Sequence, residues 1–138
     1  MIAFDADVLT LIAAGDARCT QKAALIPEAD QAVPIVVAEQ LLRGRLNVVR
    51  QAEAGKSKVP VELAYELLQR TIADLQLFEI LSYSHHAEVL MQSWRKQKIK
   101  VGTSDLRIAA ICVIHSATLI SRNRRDFDQV PGLVVEYW

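Results

Sequence analysis

The chain has 138 residues, the length of one domain with room for a full core, and 51% hydrophobic against 23% charged residues marks it as globular rather than disordered. Its 16 Lys and Arg balance 16 Asp and Glu, so a general polyelectrolyte binder is not indicated and only local charged patches remain for a partner.

Ile2-Ala3-Phe4 is a short apolar run of the kind that buried parallel strands show. Asp5-Ala6-Asp7 follows it, with Asp7 expected to cap a helix through Val8–Ala14 that Gly15 ends. Asp16 begins a second helical stretch to about Leu25, closed by Pro27. Val33-Pro34-Ile35-Val36 reads as a second strand, its Pro suited to an early or edge position. A helix is expected from Val37 to about Ala54, with Leu41, Leu42, Leu46 and Val49 on one stripe and Gly55 at its end.

After the polar loop GKSK, Pro60 opens a long helix carrying Leu63, Leu67, Leu68, Ile72 and Leu75. Leu77–Leu81 reads as a third strand, and Ser84 caps a helix to about Gln97. Gly102-Thr103-Ser104-Asp105 opens an almost wholly apolar helix through His115, which reads as buried on most sides. Ala117–Ser121 is a fourth strand and Leu133–Tyr137 a fifth. Alternating strands and helices predict an α/β fold, a central parallel five-stranded sheet flanked by helices, in a single domain over 1–138. Cys19 and Cys112 have no CxxC spacing, no basic leader precedes the first strand, and no apolar run reaches ~18 residues. The expectation is a reduced, cytoplasmic protein without a membrane span.

Ligands of such sheets bind beyond the carboxyl ends of the strands. Asp5 and Asp7 follow the first strand, Glu39 the second, and Asp126 the fourth, while Asp105 lies in the first turn of the buried helix. All are expected at one edge. Clustered carboxylates repel and raise one another's pKa, and a hard divalent cation such as Mg²⁺ or Mn²⁺ reverses that cost. Such a centre activates water and neutralises a phosphoryl group, so the chemistry that fits is phosphodiester hydrolysis.

Each acid also has a plainer reading: Asp7 as a helix cap, Glu39 as a partner of Arg43, and Asp105 as a first-turn acid favoured by the helix dipole. Arg43, Arg45, Arg122, Arg124 and Arg125 are expected near the same edge, with Arg122, Arg124 and Arg125 around Asn123 the best candidates for phosphate contact. The run Arg95-Lys96, Lys98 and Lys100 reads as a solvated helix end, and His85 and His86 as flanking a helix.

With FDADVL, VVAEQLLRGRL, VGTSDLRIAAICVIHSATLISRNRRDF and VPGLVVEYW in this order, the whole chain resembles the PIN-domain family. More narrowly it is similar to the VapC-type toxins of bacterial toxin–antitoxin pairs. No single block is specific, and the third together with the ending is the most telling.

The resemblance implies a Mg²⁺- or Mn²⁺-dependent endoribonuclease that is a homodimer and is neutralised by a cognate antitoxin. Asp5, Glu39 and Asp105 match its acidic triad, with Asp5 and Asp105 facing the metal. A fourth position is open between Asp126, Asp128 and none, because Asn123 stands where family members carry an acid. Asp7, Ser121, Arg122, Asn123, Arg124 and Arg125 are the expected substrate contacts. Two rivals remain: a non-catalytic PIN-like interaction module, and a haloacid-dehalogenase-like phosphatase. The second lacks the later Lys and downstream acids after Ser121.

Overall fold

A computed structural model describes residues 1–138 throughout. Five strands form one all-parallel sheet in the order β3-β2-β1-β4-β5. They are β1 (Ile2–Phe4), β2 (Gln31–Pro34), β3 (Glu79–Leu81), β4 (Thr118–Ser121) and β5 (Val135–Tyr137). Between them run α1 (Ala6–Ala13), α2 (Ala17–Ala24), α3 (Ile35–Glu53), α4 (Val61–Leu75), α5 (His85–Lys96), α6 (Thr103–Ile114) and the single turn α7 (Arg124–Phe127). The expected five-stranded parallel α/β fold is the one observed. No helix is long and apolar enough to cross a membrane.

The chain leaves β1 toward β2 and β3, then returns across the sheet to place β4 on the other side of β1. The strand order therefore reverses between β1 and β4. At such a switch point the loops leave the sheet in opposite directions and open a crevice beyond the strand ends. Register pairs Ile2 with Thr118, Ala3 with Leu119 and Phe4 with Ile120, and the amide of Asp5 extends the ladder by donating to the Ile120 carbonyl at 2.9 Å.

One cluster of 25 buried residues forms the core. Helix α6 supplies Leu106, Ile108, Ala109, Ala110, Ile111 and Cys112 to it, which is why so apolar a segment is stable as a helix. Phe4, Leu119 and Ile120 face it from the two central strands.

Four expectations need correction. Strand β2 spans Gln31–Pro34 rather than Val33–Val36, because Pro34, with φ −60° and no N–H to give a further ladder bond, caps α3 and turns Ile35 and Val36 into helix. The cap of α1 is Asp5, whose carboxylate accepts from the Ala6 amide at 2.8 Å. Asp7 lies within that helix and accepts from Val8 at 2.7 Å. Strand-terminal Asp5 is thus not surplus to capping, contrary to the sequence argument.

The stripe on α3 is also less buried than its pattern suggested: Leu46 is 43% exposed, and on α4 Leu63 and Ile72 are 37% and 45% exposed. These two helices pack chiefly on each other, with a small cluster of Val49, Ala52 and Ala64 between them. Finally, Arg45 does not face the sheet edge but donates from Nε to Thr71 of α4 at 3.0 Å.

Candidate active site

Three loops deliver the acidic side chains. Asp5 ends β1 and is only 7% exposed. One carboxylate oxygen caps α1, and the other accepts from the hydroxyl of buried Ser121, at the end of β4, at 2.7 Å. The same Ser121 oxygen accepts from the Asn123 amide at 3.0 Å. Asn123 then caps α7, and its side-chain amide nitrogen donates to Asp126 at 3.0 Å and to Asp105 at 3.4 Å. A connected path of hydrogen bonds therefore runs from Asp5 through Ser121 and Asn123 to Asp105 and Asp126.

Bringing these carboxylates together is costly, and Asp105 shows it. Burial first, then the charges of Asp5, Asp126 and Asp7, push its pKa up to about 6. Asp5 is raised as well, chiefly by burial, with Asp7 adding to the shift while Ser121 and Ala6 oppose it. The Asn123 amide is the neutral donor that offsets part of this repulsion between Asp105 and Asp126.

Glu39 stands apart. It lies in the second turn of α3, half exposed, and forms an ion pair with Arg43 one turn on. It meets the cluster only across a cleft that also takes in Ser104, the neighbour of Asp105. Asp128 turns the other way, accepting from the Tyr137 hydroxyl at 2.7 Å with Arg124 3.9 Å distant. Of the two candidates for a fourth acid, the fold joins Asp126 to the others.

The arginines around Asn123 do not converge on the acids. The Arg124 guanidinium stacks on Tyr137 at 4.2 Å, Arg122 acts electrostatically on Asp16 and Cys19 at the start of α2, and Arg125 is exposed. Asn123, expected as a substrate contact, spends its side chain on the two aspartates and on the Asp126 amide.

Clustered acids at a switch point occur in more than one fold, so the whole-chain match decides. A model of the PIN domain matches residues 2–133. The chain belongs to the PIN-domain family. It is 31% identical over 102 residues to Ribonuclease VapC1 of Rickettsia felis, covering 74% of this chain and 71% of the relative. Among solved structures it resembles a toxin–antitoxin complex from Klebsiella pneumoniae, with TM-score 0.72, 24% identity, and coverage of 97% of this chain and 96% of the other. It also resembles the DNA-bound VapBC of Salmonella typhimurium, with TM-score 0.78, 17% identity, and coverage of 100% and 99%. At these identities the structural likeness is one of fold.

The donors of this PIN domain are carboxylate oxygens, with a serine hydroxyl and an amide beside them, the set a hard divalent cation takes and a soft metal does not. In the arrangement seen, no three acidic, His or Cys side chains converge to hold an ion; Asn123, rather than a shared centre, joins Asp105 to Asp126. The donor chemistry thus fits Mg²⁺ or Mn²⁺, with Asp5 and Asp105, the two acids whose charged forms burial and neighbouring charge disfavour, the most relieved by positive charge.

One residue of the cleft escaped the sequence reading. Arg107 interrupts the apolar run of α6 between Leu106 and Ile108. It lines the cleft with Ile35, Val36, Glu39, Arg43 and Ser104. The signal was present, since a full charge inside LRIAAICVI is either satisfied by a partner or aimed at one.

Proposed function

We propose that this chain is a VapC-type endoribonuclease that hydrolyses RNA phosphodiester bonds with a Mg²⁺ or Mn²⁺ cofactor. The observation that carries the reading is the acidic crevice at the switch point, where burial, with the charges of Asp5, Asp126 and Asp7, pushes the pKa of Asp105 up to about 6. A fold that gathers like charges at its ligand-binding edge is better suited to a cation than to its own stability. The name of the Rickettsia felis relative, a ribonuclease, supports the choice of reaction.

Asp5 and Asp105 are the residues that would hold the cation. When bound, it supplies charge neutralisation at phosphorus and a more acidic water. Glu39, which lines the neighbouring cleft, accepts a proton from the attacking water, and its ion pair with Arg43 orients it for that task. Ser121 and Asn123 position the aspartates, with Asp126 as the fourth acid. Water adds to phosphorus as the bond to the 3′ oxygen breaks, and that oxygen leaves as a hydroxyl after taking up a proton. The products are a 5′-phosphate and a 3′-hydroxyl, and the 2′-hydroxyl takes no part.

Several solved relatives are toxin–antitoxin complexes by name, which supports a cognate antitoxin as partner here. Apolar side chains left exposed on α3 and α4, among them Leu46, Leu63 and Ile72, support a homodimer. Incubation of RNA with purified protein in Mg²⁺, Mn²⁺ or EDTA, beside Asp5→Asn, tests the reaction. Cleavage is expected only for the wild type with metal. Activity that survives EDTA, or a 2′,3′-cyclic phosphate end, overturns the assignment.

A further inference from the structure

The acidic cluster makes no use of Arg107, which forms none of the ion pairs in the molecule. Its Nε is shut off from water and has no hydrogen-bond partner, a costly state for a cation. Its guanidinium carbon lies 5.8 Å from the centre of the Tyr83 ring, within reach of a cation–π contact. A guanidinium offers a fork of N–H donors suited to a planar or tetrahedral oxyanion. Tyr83 is itself tied to Glu88, so the platform beneath the guanidinium is held in place.

The cleft in front of Arg107 has a definite charge balance. Its one lining acid, Glu39, is paired with Arg43, and Arg107 adds a second cation to the lining, with Glu88 beside Tyr83 the acid that feels its charge. Ser104 adds a hydroxyl on the first turn of α6, a twelve-residue helix whose start at Gly102 has no side-chain cap. Uncapped first-turn N–H groups and the helix dipole both favour an anion there. Ser104 immediately precedes Asp105, which sets this cleft beside the acidic crevice.

We propose that Arg107 and Ser104 seat a backbone phosphate of the bound RNA, at a linkage beside the one that is cut. The proposal rests on the ribonuclease reading above and adds a strand-positioning contact to it. Its chemistry is recognition of a phosphodiester anion, independent of base identity.

The test uses a short single-stranded RNA that the wild type cleaves, made with one uncharged methylphosphonate at each linkage in turn. At one flanking linkage the neutral group should lower kcat/KM of the wild type about tenfold, the scale of one charged hydrogen bond. Arg107→Gln should lose about as much on the all-phosphate strand, in KM more than in kcat, and be indifferent to the neutral group at that linkage. Arg107→Lys, which keeps the charge without the fork, should fall between, and it carries the same comparison if the Gln variant does not fold.

Cleavage by Arg107→Gln at the wild-type rate overturns the proposal, as does undiminished sensitivity to that neutral linkage. So does unchanged RNA cleavage with weakened grip on a protein partner, which would give the cleft to that partner. If the wild type cuts no RNA with either metal, the ribonuclease reading fails on its own. Binding of the same oligonucleotide then decides the seat. Affinity that depends on Arg107, with a salt slope smaller by ~0.7 in the Gln variant, keeps it. Binding indifferent to Arg107, or no binding, removes it.

Discussion

The acidic end of the sheet and the α3–α4 hairpin are built from similar residues and held in different ways. Behind the acids stands the cluster of 25 buried residues, and Asp5 and Ser121 are joined across 116 positions of chain. The hairpin has a satellite cluster of Val49, Ala52 and Ala64, with polar ties such as Arg45 to Thr71 and Tyr65 to Glu53. Helix α3 belongs to both, giving Val37 and Ala38 to the main core and Val49 and Ala52 to the satellite. Glu39, next to Ala38, sits at the body end of that helix. Mutually repelling carboxylates need a frame that cannot relax away from them, whereas a hairpin that carries no such load tolerates exposed leucines.

Truncation separates the two regions most strongly. Phe127→Ala, which empties a fully buried site beside the α7 turn, should cost about 3–5 kcal/mol in urea unfolding. Leu63→Ala, 37% exposed on the hairpin, should cost less than about 1 kcal/mol. A Leu63→Ala loss as large as that of Phe127→Ala would erase the distinction, or show that association covers this face.

Within the body, Asp5→Ala removes the cap of α1 and strips the buried Ser121 hydroxyl of its acceptor. The loss should be about 1–3 kcal/mol. Asp5→Asn keeps cap and shape while removing charge, and should leave the stability of the metal-free protein unchanged or higher.

Asp105→Asn should act in the opposite sense to a core truncation. Its carboxyl titrates at about 6 in the folded protein against an ordinary 3.8. Between those values the folded state binds more protons than the unfolded one, so the wild type loses stability as pH rises from about 4 to about 6 and carries the full penalty above that. The variant should melt a few degrees higher than the metal-free wild type at pH 7, with the gap closing toward pH 4. Added Mg²⁺ or Mn²⁺ should raise the wild-type melt and not that of the variant. A gap that widens on acidification would contradict the crowding of these acids. The finest comparison is hydrogen exchange, in which α4 amides should open ahead of those of α6 by local fluctuation.

Most of the scaffold was legible because its signals were local. The short apolar strands, the buried helix with Asp105 at its mouth, and the caps Asp16 and Ser84 stand where the pattern put them. The misreadings share a cause, which is that chain pattern does not say what lies opposite. Leu46 and Leu63 keep helical spacing but stay 43% and 37% exposed on helices that pack chiefly on each other. Ile35 and Val36 continue the apolar run past Pro34, but the missing N–H of Pro34 ends the ladder there and both residues fall in α3.

The candidate site was legible as a set of positions and not as a set of contacts. Acids at strand ends could be placed at one edge, but only the fold shows Asn123 turned onto Asp105 and Asp126, Asp128 turned onto Tyr137, and Arg124 stacked on that same ring. Arg107 was available to a stricter reading of burial and charge.

The long reach of the Asp5–Ser121 hydrogen bond also sets an order of events during synthesis. Strand β1 is made first, yet its neighbour β4 lies 116 residues downstream of the carboxylate it completes. At ~5–20 residues per second, the ribosome needs roughly 6–23 s to travel between them. Throughout that interval Asp5 has no Ser121, and Asp105 is itself made only near its end. A nascent chain therefore carries its first carboxylate for most of its synthesis without a crevice to put it in, and the crevice closes among the last steps of folding.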